Sequence, residues 1–250
     1  MNNMMTKFKA MEQVYAETVD PDKYTVLRID GKGFSRLTAP LRKDGPFNAE
    51  FTQAMIATMR DLMVQVDGAV LGYTQSDEIT IVIKPVNPEK TGATLWFGGK
   101  VQKMVSLAAS YTGLIFQKYM TTPLAGLPAF DARIMSMDKH DVVECITWRR
   151  MDALNNSVSM LAGYNFSHKS LMGISREEKI ARLAEKGISW EEDTPEQNKG
   201  GTVAYRVKEE GEVTYFHRGE QEWKTATAMR NVVITKPLTD TVRDKLLDLI

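Results

Sequence analysis

The sequence predicts an α+β protein: a ferredoxin-like βαββαβ palm followed by a mainly helical C-terminal extension that carries a small β-hairpin. Three observations lead there. Short runs rich in β-branched and aromatic residues occur at 24–29, 70–73, 79–83 and 130–135, a composition that favours strands. Two longer stretches between them repeat apolar residues every three or four positions, as helices with one buried face do. Carboxylates stand at two strand ends, at Asp30 and at Asp77-Glu78.

Taken in order, residues 5–17 read as a lead-in helix that stops near Asp20-Pro21-Asp22, because proline removes a backbone donor. Residues 23–29 form the first strand, and the Gly-, Pro- and Lys-rich residues 32–47 a loop. Phe51, Met55, Ile56, Met59, Leu62, Met63 and Val66 mark the first long helix. The hairpin 70–73/79–83 follows directly, with its acids at the tip, and then a turn region at 85–92. A second helix turns Phe97, Val101, Met104, Val105, Ala108 and Ile115 inward, and residues 130–135 supply the last palm strand. Beyond Ser136 the pattern gives a long helix at 138–162, a charged helix at 175–186, a polar hairpin from 203–207 and 212–217, and a last helix at 239–249. The expected division is therefore a catalytic palm at 1–136 and a C-terminal region at 137–250, without a linker between them.

Composition narrows the class. The chain has 250 residues, 43% hydrophobic and 26% charged, as a globular protein has. Lys+Arg and Asp+Glu balance at 32 each, so no bulk positive field attracts nucleic acid and any basic surface is local. The single cysteine, Cys145, excludes an internal disulfide and a multi-cysteine zinc site, and reads as a buried thiol in a reducing compartment. No apolar run approaches the roughly 18 residues of a membrane span, and residues 1–7 lack a signal peptide's apolar core. A cytoplasmic protein without a membrane partner is expected.

Two strand ends that approach each other would let Asp30, Asp77 and the Gly31 carbonyl share magnesium, which takes oxygen ligands and serves phosphoryl and nucleotidyl transfer. Glu78 would ligate, orient a water or flank the site. Asp-Gly is also a common turn, and Ser-Asp-Glu at a hairpin tip is often merely solvated, so these residues alone leave both readings open. Glycines in Gly31-Lys32-Gly33-Phe34-Ser35 would let backbone N–H groups approach phosphate oxygens, although neither G-x-x-x-x-G-K-[ST] nor G-x-G-x-x-G occurs. Lys100 and Lys103 lie one helical turn apart, on a surface suited either to a triphosphate or to solvent. Trp148, Asp152 and Asn156 fall on successive turns of the long helix beside Arg149 and Arg150, a polar stripe for substrate or for tying the two regions together. His140, His168 and His217 have no paired ligand spacing.

Taken together, Arg28-Ile29-Asp30-Gly31-Lys32-Gly33-Phe34, Tyr73-Thr74-Gln75-Ser76-Asp77-Glu78, Phe130-Asp131-Ala132-Arg133 and Trp148-Arg149-Arg150-Met151-Asp152-Ala153 resemble the ordered motifs of the tRNA-His guanylyltransferase and Thg1-like family. Phe166-Ser167-His168-Lys169-Ser170-Leu171 and Lys199-Gly200-Gly201 extend the resemblance. It implies a 3′-to-5′ nucleotide polymerase: ATP or GTP activates a 5′-monophosphorylated RNA end, and the 3′-hydroxyl of an incoming nucleoside triphosphate attacks it. It also implies two magnesium ions held by Asp30, Gly31 and Asp77, with Asp30, Asp77 and Glu78 as the catalytic acids. Nucleotide contacts fall on Gly31, Lys32, Gly33, Phe34, Ser35 and Ser76, and those to a second triphosphate on Lys100 and Lys103. The RNA 5′ end is expected at Arg28, Arg150, Asp152, Asn156 and Lys169, the assembly as a homotetramer (a dimer of dimers), and tRNA as the partner, contacted by region 137–250. Eukaryotic members read His-Ile-Asn-Asn after the helix aspartate and an intervening residue, whereas Leu154 stands here where the histidine would be. That departure favours template-dependent 5′-end repair over G addition to tRNA-His. Nucleotidyl cyclases also place paired acids on a palm hairpin, but their glycine-rich hairpin is missing at 74–78, and the intact Asp30 and Asp77 argue against a non-catalytic RNA-binding module.

Overall fold

A computed structural model of the chain describes residues 2–86, 89 and 92–250. Helix α1 (Asn2–Gln13) leads into strand β1 (Tyr24–Gly31), whose side chains alternate between two packed layers as the two-residue strand period requires. A short helix α2 (Phe34–Leu37) and a 3-10 turn (Ala39–Asp44) occupy what the sequence reads as plain loop. Helix α3 (Ala49–Gln65) starts at Asn48, whose side chain accepts the Phe51 N–H at 2.9 Å and so satisfies one otherwise orphaned donor. Strands β2 (Ala69–Gln75) and β3 (Glu78–Ile83) form the expected hairpin, followed by helix α4 (Val101–Tyr119) and strand β4 (Phe130–Met137). Part of the turn region at 85–92 lies outside the described residues. Phe97 belongs not to α4 but to the turn before it, at φ 51.

The four palm strands lie in the order β4-β1-β3-β2, all antiparallel, which is the expected ferredoxin-like palm. Helices α3 and α4 cover one face, where Leu27, Ile29, Ile79 and Ile81 meet Met55, Met59, Met104 and Phe116. The opposite face holds Val26, Tyr73 and Val82, and the long helix α5 (Lys139–Asn165) packs there through Val142 and Ile146. β1 and β3 pair Val26 with Val82 and Asp30 with Glu78; stepping by two, the alternation turns both carboxylates toward α5.

Helices α6 (His168–Leu171), α7 (Arg176–Glu185), α8 (Trp190–Asp193) and α9 (Glu196–Lys199) follow. Phe166, Leu171, Leu183, Ile188 and Trp190 gather around Leu161 at the end of α5. The expected small hairpin takes a different form. Residues 203–207 and 212–217 belong to one strand, β5 (Thr202–His217), which pairs along its whole length with β6 (Glu222–Pro237). Its turn lies at 218–221, where Gln221 adopts φ 55, not at 208–211. β5 also joins β2, with Leu71 opposite Tyr205 and Thr74 opposite Thr202. One six-stranded sheet in the order β4-β1-β3-β2-β5-β6 therefore crosses residue 136. The last segment is not one helix but two short ones, α10 (Asp240–Arg243) and α11 (Leu246–Leu249). Cys145 is half-buried rather than buried, and it is a free thiol.

The junction of β5 with the palm is tight. Gly201 has φ +79, and a Cβ there would lie 2.6 Å from the Thr74 carbonyl oxygen and 2.7 Å from the Tyr73 hydroxyl. Tyr73 is fully buried and donates to the Gly200 carbonyl at 3.1 Å, so neither neighbour has room to move. Gly201→Ala should cost ~2 kcal/mol or more, read as a lower midpoint in chemical denaturation.

Candidate active site

Two strand ends and one turn build the acid cluster. Asp30 sits opposite Glu78 on β3 and opposite Asp131 on β4. Ser76 and Asp77 form the two-residue turn between β2 and β3, and Ser76 adopts φ 49. Hairpin turns of this length need a left-handed residue, and a serine there holds a conformation that glycine would take more easily. Ser76 Oγ donates to Asp77 Oδ1 at 3.0 Å. The Gly31 N–H donates to the Asp77 carbonyl at 3.1 Å, which clamps the end of β1 to the hairpin tip. Asp30, Gly31 and Asp77 are thus brought together as expected.

The loop after β1 is pinned by an aromatic side chain. A Cβ on Gly31 would lie 2.4 Å from Phe34 Cδ2, because the Phe34 ring folds back over the strand end. That ring packs against Phe51, Phe116 and Phe130 at centroid distances of 6.1, 5.6 and 4.9 Å. Gly33, at φ 68, makes the reversal, and the Lys32 N–H donates to the Ala129 carbonyl at 2.8 Å. Between this loop, the hairpin tip and α5 opens a cleft of about 500 Å³ whose walls include Phe34, Ser35, Asn48, Ser76, Asp77, Asn156 and Tyr164.

Burial raises the Asp77 carboxyl above its ordinary range; the Ser76 hydroxyl pulls it down, and the nearby Asp30 charge adds to the rise. Two carboxylates held together against desolvation are a place where a cation lowers the energy. Among the described residues no three His, Cys, Asp or Glu side chains form a metal cage. The donor set is two carboxylates and a backbone carbonyl, which fits magnesium, an oxygen-seeking ion that keeps waters and takes ligands from substrate phosphates.

Glu78 has a different environment. Arg149 of α5 grips both its oxygens, Nε to Oε1 at 2.7 Å and Nη2 to Oε2 at 2.5 Å, and the two side chains are 11% and 7% exposed. Burial pushes Glu78 up and Arg149 opposes it. Burial lowers Arg149, but the hydrogen bonds and charge of Glu78 outweigh that and raise it; each partner favours the charged form of the other. Arg149 Nη2 also reaches Asp152 Oδ2 at 3.0 Å, and Asn156 Nδ2 donates to the same oxygen at 3.2 Å. A chain of polar contacts thus runs from the palm acids along α5 to the cleft wall. Of the two neighbouring arginines, Arg149 rather than the expected Arg150 reaches the acids; only packing distinguishes the two.

The other expected site residues fall in four places. Arg28 lies on β1, two residues before Asp30, with its guanidinium 5.9 Å from the Trp148 ring centroid. Arg150 points away from the acids, donating to the Leu238 carbonyl at 2.8 Å and pairing with Asp240 at 3.2 Å. Lys169 is exposed on α6, beyond the C-terminal end of α5. Lys100 and Lys103 begin α4 at the far end of the palm: Lys100 bridges Thr18, and the Val101 N–H donates to the Glu17 carbonyl at 2.9 Å. β1 separates them from the acids by its own length of about 25 Å, and the single chain does not bring them to Asp77.

Residues 5–138, more than half of the chain, match the family model described as tRNAHis guanylyltransferase. A bacterial tRNA(His) guanylyltransferase-like protein solved in complex with ATP is 30% identical, with a TM-score of 0.74 over 89% of this chain and 91% of that one. Another structure of a bacterial tRNA(His) guanylyltransferase-like protein, in complex with GTP, is 25% identical, with a TM-score of 0.77 over 99% and 98%. Among curated relatives, an uncharacterized protein of Acanthamoeba polyphaga mimivirus is 29% identical over 74% of this chain and 70% of its own length. The tRNA(His) guanylyltransferase of Debaryomyces hansenii is 25% identical over 80% of each. With paired acids on a ferredoxin-like palm and this match across the palm, the chain belongs to the tRNA-His guanylyltransferase (Thg1) family of nucleotidyltransferases, whose reaction is nucleotide addition in the 3′-to-5′ direction.

Proposed function

We propose that this chain repairs 5′-truncated tRNA, adding nucleotides to the 5′ end under the direction of the opposite strand rather than a single G to tRNA-His. The observation that carries nucleotide addition is Asp77 on the wall of an open cleft of about 500 Å³ roofed by α5, with the Asp30 charge close enough to act on it. The preference for repair rests on Leu154, which stands where eukaryotic guanylyltransferases have a histidine. In the first step an oxygen of the RNA 5′-monophosphate bonds to the α-phosphorus of ATP or GTP and pyrophosphate leaves. In the second, the 3′-hydroxyl oxygen of the incoming triphosphate bonds to the 5′ phosphorus of the RNA, its proton passes to solvent, and the nucleoside monophosphate leaves.

Asp30, Asp77 and the Gly31 carbonyl are the residues that would hold magnesium, which when bound neutralises phosphate charge and stabilises the transition state. Ser35, Ser76 and the backbone of residues 31–33 face the triphosphate. Glu78 acts by fixing Arg149, and through it Asp152 and Asn156, against the RNA end, while Lys169 meets RNA farther along. Lys100 and Lys103 meet a triphosphate only where another copy of the chain brings its acids to them, as a homotetramer built as a dimer of dimers would; sedimentation at working concentration measures that assembly. Among the described residues no helix is long and apolar enough to cross a membrane, and cytoplasmic action is part of this proposal.

The test is 5′-end extension. Purified protein, magnesium, ATP and all four nucleoside triphosphates are incubated with a 5′-monophosphorylated tRNA lacking its first nucleotide, and the product ends are sequenced. Template-matched addition is the expected result. Addition of one G to full-length tRNA-His alone would assign the chain to guanylyl transfer proper.

A further inference from the structure

We propose that Trp148, Arg28 and Arg133 form a stacking platform for an unpaired nucleobase of the RNA end, beside the acid pair and outside the triphosphate cleft. This inference rests on RNA being the substrate, as proposed above. The three residues come from different elements: Arg28 from β1, Arg133 from the sheet-edge strand β4, and Trp148 from α5. Arg28 and Arg133 are direct cross-strand partners, so their side chains leave the same face of the sheet, the one that carries Asp30 two residues along β1. That step is about 7 Å, and a base held at the platform therefore lies next to the phosphate on which the acids act.

Trp148 is 55% exposed, although it stands on a helix that buries Val142 and Ile146 against the palm. Its ring is held between elements that cannot drift: Arg149, locked to Glu78, lies 4.7 Å from the ring centroid, and Arg28 lies 5.9 Å from it. Arg28 has no ion pair among the described residues. Among the described residues Arg133 pairs with Asp131 at 3.5 Å, with both side chains more than half exposed, a pairing that water largely screens. An exposed indole edge flanked by Arg28, with the exposed Arg133 guanidinium across the strand pair from Arg28, matches one ligand chemistry closely: a flat base that stacks on the indole or on a guanidinium plane, next to a phosphate that Arg133 pairs. The balanced charge of the whole chain makes this local arrangement, rather than a general field, the means of recognition.

The experiment uses an RNA stem with a single-stranded 3′ overhang in which the first unpaired base is 2-aminopurine, whose fluorescence falls on stacking. Full-length wild-type protein should quench it on binding. Trp148→Ala should abolish the quench and weaken RNA binding roughly 10- to 100-fold, Trp148→Phe should restore most of both, and the KM for nucleoside triphosphate should stay within about twofold. Arg28→Ala and Arg133→Ala should each flatten the salt dependence of binding by about one counterion. Unchanged quench and affinity in Trp148→Ala, with thermal melting intact, overturns the platform. So does a Trp148→Ala effect confined to sedimentation, which would make the tryptophan a contact between copies. Wild-type extension activity, assayed in parallel, separates the two ideas: extension with no Trp148 effect leaves repair standing and removes the platform, whereas quenched binding without extension does the reverse.

Discussion

Asp77→Asn should abolish nucleotide transfer while leaving the fold intact. The side chain accepts hydrogen bonds from the Ser76 hydroxyl and from its own backbone N–H, and asparagine keeps its shape and an oxygen to accept them, so a melting curve should stay within ~1 kcal/mol of wild type. Burial and the neighbouring Asp30 already work against the charge, and its removal relieves the folded state rather than straining it. Transfer loses a ligand of the cation that offsets phosphate charge, and kcat should fall by at least ~10³-fold. A variant that retains a tenth of the wild-type rate would show that the acids at this tip do not hold the metal.

Arg149→Met should cause the largest loss of stability, ~3–5 kcal/mol, because it leaves Glu78 charged, buried and unpaired. Adding Glu78→Leu removes the stranded charge, and the double variant should recover most of the folding free energy, since an apolar pair of similar volume replaces a buried ion pair at little cost. Activity should not recover with it. Arg149 also holds Asp152, which positions Asn156 on the wall of the cleft, and neither methionine nor leucine does that. Urea denaturation and extension assays on the same three proteins measure both outcomes; a double variant as unstable as Arg149→Met would mean that the arginine's packing, not its charge, carries the effect.

Local sequence determined the palm and the place of its acids. The β-branched and aromatic run at 24–29, the 3.6-residue period of α3 and α4, and the Asp-Gly and Ser-Asp-Glu junctions are signals carried by residues near one another in the chain. Strand period, helix period and turn chemistry act over that range. The same range explains the misreadings. Residues 208–211 look like a turn because they are polar and end in glycine, but they lie in the part of β5 beyond its pairing with β2, where solvent on both faces permits polar residues. Arg149 and Arg150 are equivalent in sequence; a rotation of about 100° between neighbours on a helix sends one to Glu78 and the other to Leu238 and Asp240. Lys100 and Lys103 have the spacing of a phosphate clamp, yet the antiparallel course of α4 starts them at the opposite end of the sheet from Asp77. What the sequence determined by itself was the order of elements and the carboxylates at their ends. Tertiary structure alone decided which charges meet, because pairing across the sheet and the seating of α5 depend on contacts between residues far apart in the chain.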